Sequence, residues 1–166
     1  MIESLLKNAM LFILLVALQV LFLNNIDFLG FINPYVYIWF ILSMPVAMNR
    51  NSAIIIAFLL GLTIDVFSNT MGIHSFSCVL IAFLRNYWIN ALFLRNDFEL
   101  IVPSIKSFGF ANYIKYALGI IFLHHFCLFF LEALSFDNFW LILLRVLYNS
   151  IVTLLLILGF ELIKTK

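Results

Sequence analysis

The chain carries very little charge for its length. Charged residues make up 10% of its 166 positions, and the formal net charge is +1, whereas soluble domains carry roughly 25% charged residues. This excludes an ordinary soluble domain, and it leaves no basic surface for binding nucleic acid. The two cysteines, Cys78 and Cys127, each lie inside an apolar run. That placement favours small buried hydrophobic side chains over a disulfide or a redox site.

Apolar residues are present in abundance. They make up 66% of the chain and include 20 phenylalanines, and the mean hydropathy is +1.17. Long apolar runs, rather than the alternation of a membrane barrel, predict helices that satisfy their own backbone groups in a lipid bilayer. We therefore expect an all-α integral membrane protein, with residues 1–166 forming a single six-transmembrane-helix bundle. The expected spans are 8–23, 34–48, 52–67, 73–87, 112–134 and 138–163.

Local signals refine the first two spans. No small-residue cleavage pattern follows the first span, so we expect it to be retained rather than removed as a signal peptide. Asn33-Pro34 predicts the start of the second span, because asparagine caps helices and proline suits the first helical position. Pro45 predicts that this span bends or ends early.

Basic residues indicate the orientation of the bundle. They flank the first span, the connection between spans two and three, the connection between spans four and five, and the end of the chain, whereas the other connections have none. The positive-inside rule makes the basic side cytoplasmic, with both termini inside. The longest connection, 88–110, is interpreted as a loop at the interface, with a partner-docking helix as the alternative. The basic residues on this side are Lys7, Arg50, Arg85, Arg95, Lys106, Lys115, Lys164 and Lys166.

One carboxylate lies deep in an apolar span. Asp65 falls near the end of the third span, one helical turn after Gly61. An ionisable side chain at the bilayer centre costs about 2.5–3.5 kcal/mol on insertion scales, so it indicates a specific role. The glycine would let a neighbouring helix approach closely on the same face.

The last span carries a polar stripe that includes Arg145, Tyr148, Asn149 and Thr153. Such a stripe is expected to face the bundle interior. The estimated depths of Arg145 and Asp65 agree, which predicts an intramembrane ion pair, with Tyr148 or Asn149 satisfying the remaining hydrogen bonds. The alternative is that Arg145 extends independently to the lipid headgroups.

Signatures of enzymes are missing. The chain has no Walker loop, no dinucleotide-binding glycine fingerprint and no nucleophile elbow, so we expect neither catalysis nor a cofactor. His124 and His125 are adjacent, and on a helix they point about 100° apart and cannot share one metal ion. They are interpreted as packing residues. Glu132 is interpreted as a carboxylate at the outer interface, with a proton relay to His125 as the alternative.

Several motifs resemble a known family. They are Ala57-Phe58-x-x-Gly61-Leu62-x-x-Asp65, then Gly72-x-His74-Ser75, then Ile81-Ala82-Phe83-Leu84-Arg85, together with Asn33-Pro34 and Met44-Pro45. This combination resembles the bacterial rod shape-determining MreD family.

The resemblance implies a non-enzymatic scaffold or regulator of the cell-elongation machinery that synthesises peptidoglycan. Its place would be the bacterial inner membrane, bound to MreC through that partner's transmembrane helix. MreB, RodA and a class B penicillin-binding protein would belong to the same complex. The fold would be similar to the S components of energy-coupling-factor transporters.

Two other functions remain open at this point. A vitamin-binding S component would dock its partner through small residues four apart on the first span, but Ile13 interrupts Ala9 and Ala17. A membrane enzyme acting on a lipid-linked sugar would need convergent carboxylates. The outer connections offer only Asp27, Glu132 and Asp137.

Overall fold

The computed structural model describes residues 2–26, 32–93, 102–134 and 138–164, with side chains from residue 6 onward. This part of the chain contains five long α-helices, two short α-helices and one 3₁₀ turn at Leu23–Asn25, and no β-strand. The helices are α1 (Ile2–Leu21), α2 (Ile38–Leu42), α3 (Arg50–Ser68), α4 (Ile73–Leu92), α5 (Ile105–Phe108), α6 (Phe110–Ala133) and α7 (Phe139–Lys164).

The helices identify a multi-pass membrane protein. Four stretches are long and apolar enough to cross a membrane, namely Leu6–Asn25, Arg50–Ser68, Phe110–Ala133 and Phe139–Lys164. The remaining long helix, α4, has 20 residues but carries more polar side chains. The predicted all-α membrane class is therefore confirmed, whereas the six-helix count is not.

The prediction of a helical second span was wrong. Only Ile38–Leu42 is helical within the region expected to form it, and Asn33-Pro34 begins no helix. The eight residues 35–42 are between 0% and 8% exposed, so this segment lies at the centre of the bundle. We call residues 32–48 the second pass.

The second pass runs from one end of the bundle to the other. Its backbone N–H at Asn33 donates to the side chain of Asn149, and its Trp39 donates to Glu161. Along α7 those two partners are 12 residues apart, about 18 Å. The crossing combines irregular backbone at residues 33–35 with a turn at residues 36 and 37 and the short helix α2.

Helix directions define two ends of the molecule. Asn24, just beyond α1, donates to Ser68 at the end of α3, so these two helices run in parallel. Helices α3 and α4 form an antiparallel hairpin, as do α6 and α7. The start of α1 and the end of α7 therefore lie at the same end, which we call the basic end. The opposite end, with the α3–α4 turn, is the turn end.

Candidate functional site

Asp65 caps the helix that follows it. Its carboxylate accepts from the backbone N–H groups of His74 (3.1 Å) and Ser75 (2.8 Å), and from the hydroxyls of Thr70 and Ser75 (both 2.5 Å). The first N–H groups of a helix have no partner within the helix. Gly72, at the N-cap of α4 with φ +84°, has no side chain to supply one. Asp65 supplies it from the preceding helix.

Gly61 lies where α3 and α4 approach most closely. A Cβ atom at this position would be 2.5 Å from the Cα of Ser75 and 2.7 Å from the carbonyl oxygen of His74. Because both of those atoms belong to the backbone, neither can move aside cheaply. We call Gly61, Asp65, Thr70, His74 and Ser75 the α3–α4 joint.

The structure does not form the predicted Asp65–Arg145 ion pair. The Asp65 carboxylate is buried in the α3–α4 joint, 3% exposed, and its four donors come from that joint. Arg145 instead pairs with Glu132 on α6 at 3.4 Å and lies 4.6 Å above the ring of Phe129. Its side chain is 32% exposed and that of Glu132 is 44% exposed.

The polar stripe of α7 divides between two faces. Asn149 and Thr153 are fully buried, whereas Tyr148 is 52% exposed. The buried pair hydrogen-bonds the backbone of the second pass. Asn149 accepts from Asn33 N–H (2.7 Å) and Thr153 accepts from Tyr35 N–H (3.1 Å).

The side chain of Gln19 on α1 hydrogen-bonds the same stretch of backbone. It accepts from Val36 N–H (3.0 Å) and donates to the carbonyl of Pro34 (3.1 Å). Backbone that is not helical can exist at membrane depth only where protein groups satisfy its hydrogen bonds. Gln19, Asn149 and Thr153 meet that requirement for the first half of the second pass.

Arg85 and Tyr116 satisfy the other half. The fully buried guanidinium of Arg85 donates to the carbonyls of Met44 and Pro45 and to the Tyr116 hydroxyl. That hydroxyl in turn donates to the carbonyl of Leu42 (3.1 Å). Leu42 is the last residue of α2 and Met44 and Pro45 come after it, and the last carbonyls of a helix have no partner within it. A buried arginine with five donors suits such a cluster of acceptors.

Glu161 anchors the second pass near the basic end. Its fully buried carboxylate accepts from the indole N–H of Trp39 (2.9 Å). Lys164 lies 3.5 Å from the same carboxylate oxygen and 5.6 Å from the Trp39 ring centroid. The carboxylate, the ammonium group and the indole ring thus lie together near the end of α7.

A cluster of histidines and tyrosines lies on the turn-end half of the axis. The Tyr37 hydroxyl is 2.7 Å from His74 Nδ1 and 3.0 Å from His124 Nε2. His125 Nδ1 is 2.7 Å from the carbonyl of Ile121, and the ring of Tyr35 packs beside His125. Each of these histidines is at least 95% buried. Among the described residues, no group of three histidine, cysteine or carboxylate side chains could hold a metal ion.

Residues that the sequence analysis did not single out hold much of this arrangement. Gln19, Glu161 and Arg85, of which only Arg85 was named from the sequence, bind the second pass. Within the second pass, Tyr37 hydrogen-bonds His74 and His124. Their signal in the sequence is a polar or ionisable side chain within a long apolar run, the same signal that identified Asp65. The predicted interfacial loop 88–110 falls partly on residues 94–101, outside the described part of the chain, as does Asp137.

Comparison with known proteins identifies no relative. No family model matches the chain, and neither a curated protein nor a solved structure matches it significantly.

Proposed function

We propose that this chain is an MreD-type component of the bacterial cell-elongation machinery. The observation that carries the proposal is the α3–α4 joint. Gly61, Asp65, His74 and Ser75, four of the residues on which the resemblance rests, are in direct contact there. Motif positions that depend on one another structurally form a more specific pattern than the same letters scattered along a sequence.

The remaining motif residues support the proposal in the same way. Arg85, from the third motif, binds the backbone of Met44 and Pro45, which form another motif. The side chains of these motifs are used to hold the bundle together. This use agrees with a non-enzymatic scaffold, in which a rigid membrane domain presents its outer surface to partners.

The proposed partner surface is the lipid-facing side of the spans. On α1, Met10, Ile13 and Leu14 are 68%, 67% and 54% exposed. The proposed partner is the transmembrane helix of MreC, with MreB, RodA and a class B penicillin-binding protein in the same complex. The proposed location is the bacterial inner membrane with both termini in the cytoplasm, because Lys7, Arg50 and Lys164 lie at the basic end.

A complementation assay tests the function. The chain is expressed in a rod-shaped bacterium depleted of its own MreD, at matched membrane levels. Restoration of rod shape is expected. Cells that stay round while the protein is present in the membrane at that level would overturn the proposal.

Copurification tests the mode of binding. Intact MreC is compared with a matched control whose transmembrane helix is replaced by an unrelated apolar helix of equal length. Only the intact partner is expected to copurify with the chain, and equal recovery of both would contradict intramembrane binding. A vitamin that raises the unfolding temperature of the purified chain, with no MreC recovered, would instead favour the S-component function.

A further inference from the structure

The three histidines of the chain, His74, His124 and His125, are hydrogen-bonded in a way that defines where each carries its proton. The Tyr37 hydroxyl lies within hydrogen-bond distance of both His74 Nδ1 and His124 Nε2. A hydroxyl has one proton, so it donates to one of these nitrogens and accepts from the other. Two arrangements are therefore possible, and they run in opposite directions.

The other ring nitrogen of His124 distinguishes the two arrangements. His124 Nδ1 is buried and has no hydrogen-bond partner among the described residues. If Tyr37 donated to Nε2, the proton of the neutral ring would reside on this Nδ1, leaving a buried N–H without an acceptor. Buried N–H groups without partners are rarer than under-satisfied acceptors. The favoured arrangement leaves Nδ1 as a bare acceptor.

We infer that His124, Tyr37 and His74 form a directional, uncharged hydrogen-bond chain that holds the second pass. His124 Nε2–H donates to the Tyr37 oxygen, and the Tyr37 hydroxyl donates to His74 Nδ1. Both histidines then carry their proton on Nε2. The chain joins α6 to α4 through a residue of the second pass, and the inference is independent of the proposed function.

His125 has the opposite tautomer. Its Nδ1 faces the carbonyl of Ile121 at 2.7 Å, and a carbonyl only accepts, so Nδ1 carries the proton. Its Nε2 is then bare and accepts from the Thr153 hydroxyl at 3.5 Å. That hydroxyl accepts from Tyr35 N–H. A second directional chain thus runs from the backbone of the second pass through α7 to α6.

Nitrogen NMR of histidine-labelled protein tests this inference. The chain has three histidines, and ¹⁵N shifts distinguish a protonated ring nitrogen from a bare one. Two rings are expected to be protonated on Nε2 and one on Nδ1, with His125→Asn assigning the latter. A proton on Nδ1 of His124 or His74, or one tautomer for all three rings, would overturn the inference.

A pair of tyrosine variants tests the role of Tyr37. Tyr37→Phe is expected to shift the His74 and His124 signals and to leave His125 unchanged. Tyr87→Phe is the matched control, because Tyr87 is 53% exposed, and it is expected to change none of the three. Unchanged His74 and His124 signals in folded Tyr37→Phe would contradict the chain. If that variant does not fold, the wild-type spectrum still decides the tautomers.

Discussion

At the scale of single residues, Asp65 shows how a carboxylate can be accommodated in an apolar bundle without a cation. Its two oxygens receive four hydrogen bonds from the start of α4 and the preceding turn. Hydrogen bonds to a charged acceptor are worth about 1.5–3 kcal/mol each, more than those between neutral groups. The helix start also favours negative charge through its dipole. These local donors replace the counter-ion.

Asp65→Ala is expected to lower the free energy of unfolding by about 2 kcal/mol or more. It removes the cap, worth about 0.5–2 kcal/mol in helices, and leaves two N–H groups buried without a partner. Asp65→Asn is expected to lower the free energy of unfolding by less, since asparagine keeps one acceptor oxygen. The measurement is the thermal midpoint of the purified protein in detergent.

Arg145→Ala is the companion variant that tests the ion pair. The loss of stability in the double variant is expected to equal the sum of the losses in the two single variants. A coupling free energy above about 1 kcal/mol between the two substitutions would instead support the Asp65–Arg145 ion pair.

The importance of Asp65 and Gly61 was visible in the sequence, whereas the partner of Asp65 was not. An ionisable side chain in an apolar run marks a role regardless of partner. The depths estimated from the sequence placed Arg145 and Asp65 at the same level, which suggested a counter-ion. Two of the four actual donors are backbone N–H groups within ten residues of Asp65, which a residue list does not display, and the other two are the hydroxyls of Thr70 and Ser75.

At the scale of elements, the second pass is the main departure from expectation. Residues 35–42 are all aromatic or aliphatic, an apolar composition that a full membrane helix shares with a buried, mostly irregular segment containing one short helix. The apolar run alone therefore could not distinguish the two. The distinguishing signal lies in other elements, where Gln19, Arg85 and Asn149 are more polar than a simple helix bundle requires.

Arg85→Met tests the carbonyl end of the second pass. The substitution keeps a long side chain but removes the donors to Met44 and Pro45, and unsatisfied backbone groups in an apolar interior cost several kcal/mol each. Little folded protein is expected. Tyr116→Phe, which removes one donor to Leu42, is expected to fold with reduced stability. Size-exclusion profiles of detergent-extracted protein measure both. Normal recovery of Arg85→Met would show that this end of the second pass needs no arginine.

Two glycines test the close contact between α3 and α4. Gly61→Ala places a methyl group about 2.5 Å from backbone atoms of α4, so it is expected to separate the helices and lower the thermal midpoint. Gly159→Ala is the matched control on α7, where a Cβ meets nothing within 4 Å. The control is expected to be neutral or slightly stabilising, since alanine favours helix by about 0.5–1 kcal/mol. Equal midpoints for the two variants would contradict the contact.

At the scale of the whole molecule, the second pass determines that the chain begins and ends at the same end of the bundle. Because it crosses the bundle, both ends of the described chain lie at the basic end. The six helical spans predicted from the sequence give the same relation between the termini, although the second of them is mostly not helical and only four stretches of the described residues are long and apolar enough to cross a membrane. Whether the chain begins and ends at the same end of the bundle depends on how many times it crosses the bundle, whatever the secondary structure of each crossing.

Cysteine labelling tests the topology in intact cells. Single cysteines at Asn25 and Asn69, at the turn end, are expected to react with an impermeant reagent. Cysteines at Asn51 and Lys106, at the basic end, are expected to react only after permeabilisation. All four positions are exposed, and the native Cys78 and Cys127 are buried. If the two positions of one pair reacted differently, the assignment of residues to the two ends would be contradicted. If Asn51 and Lys106 reacted in intact cells and Asn25 and Asn69 did not, the orientation would be reversed.

The hydrogen bonding of the second pass has a consequence for biosynthesis. Its partners Asn149, Thr153 and Glu161 are 116, 118 and 122 residues farther along the chain, and the ribosome makes them last. Until α7 enters the bilayer, the N–H groups of Asn33 and Tyr35 lack these acceptors, which hydrocarbon does not tolerate. The segment must therefore wait in water or among the headgroups while later helices insert. Burial of the second pass is then the last step of assembly. A nascent chain that ends before residue 149 cannot complete it.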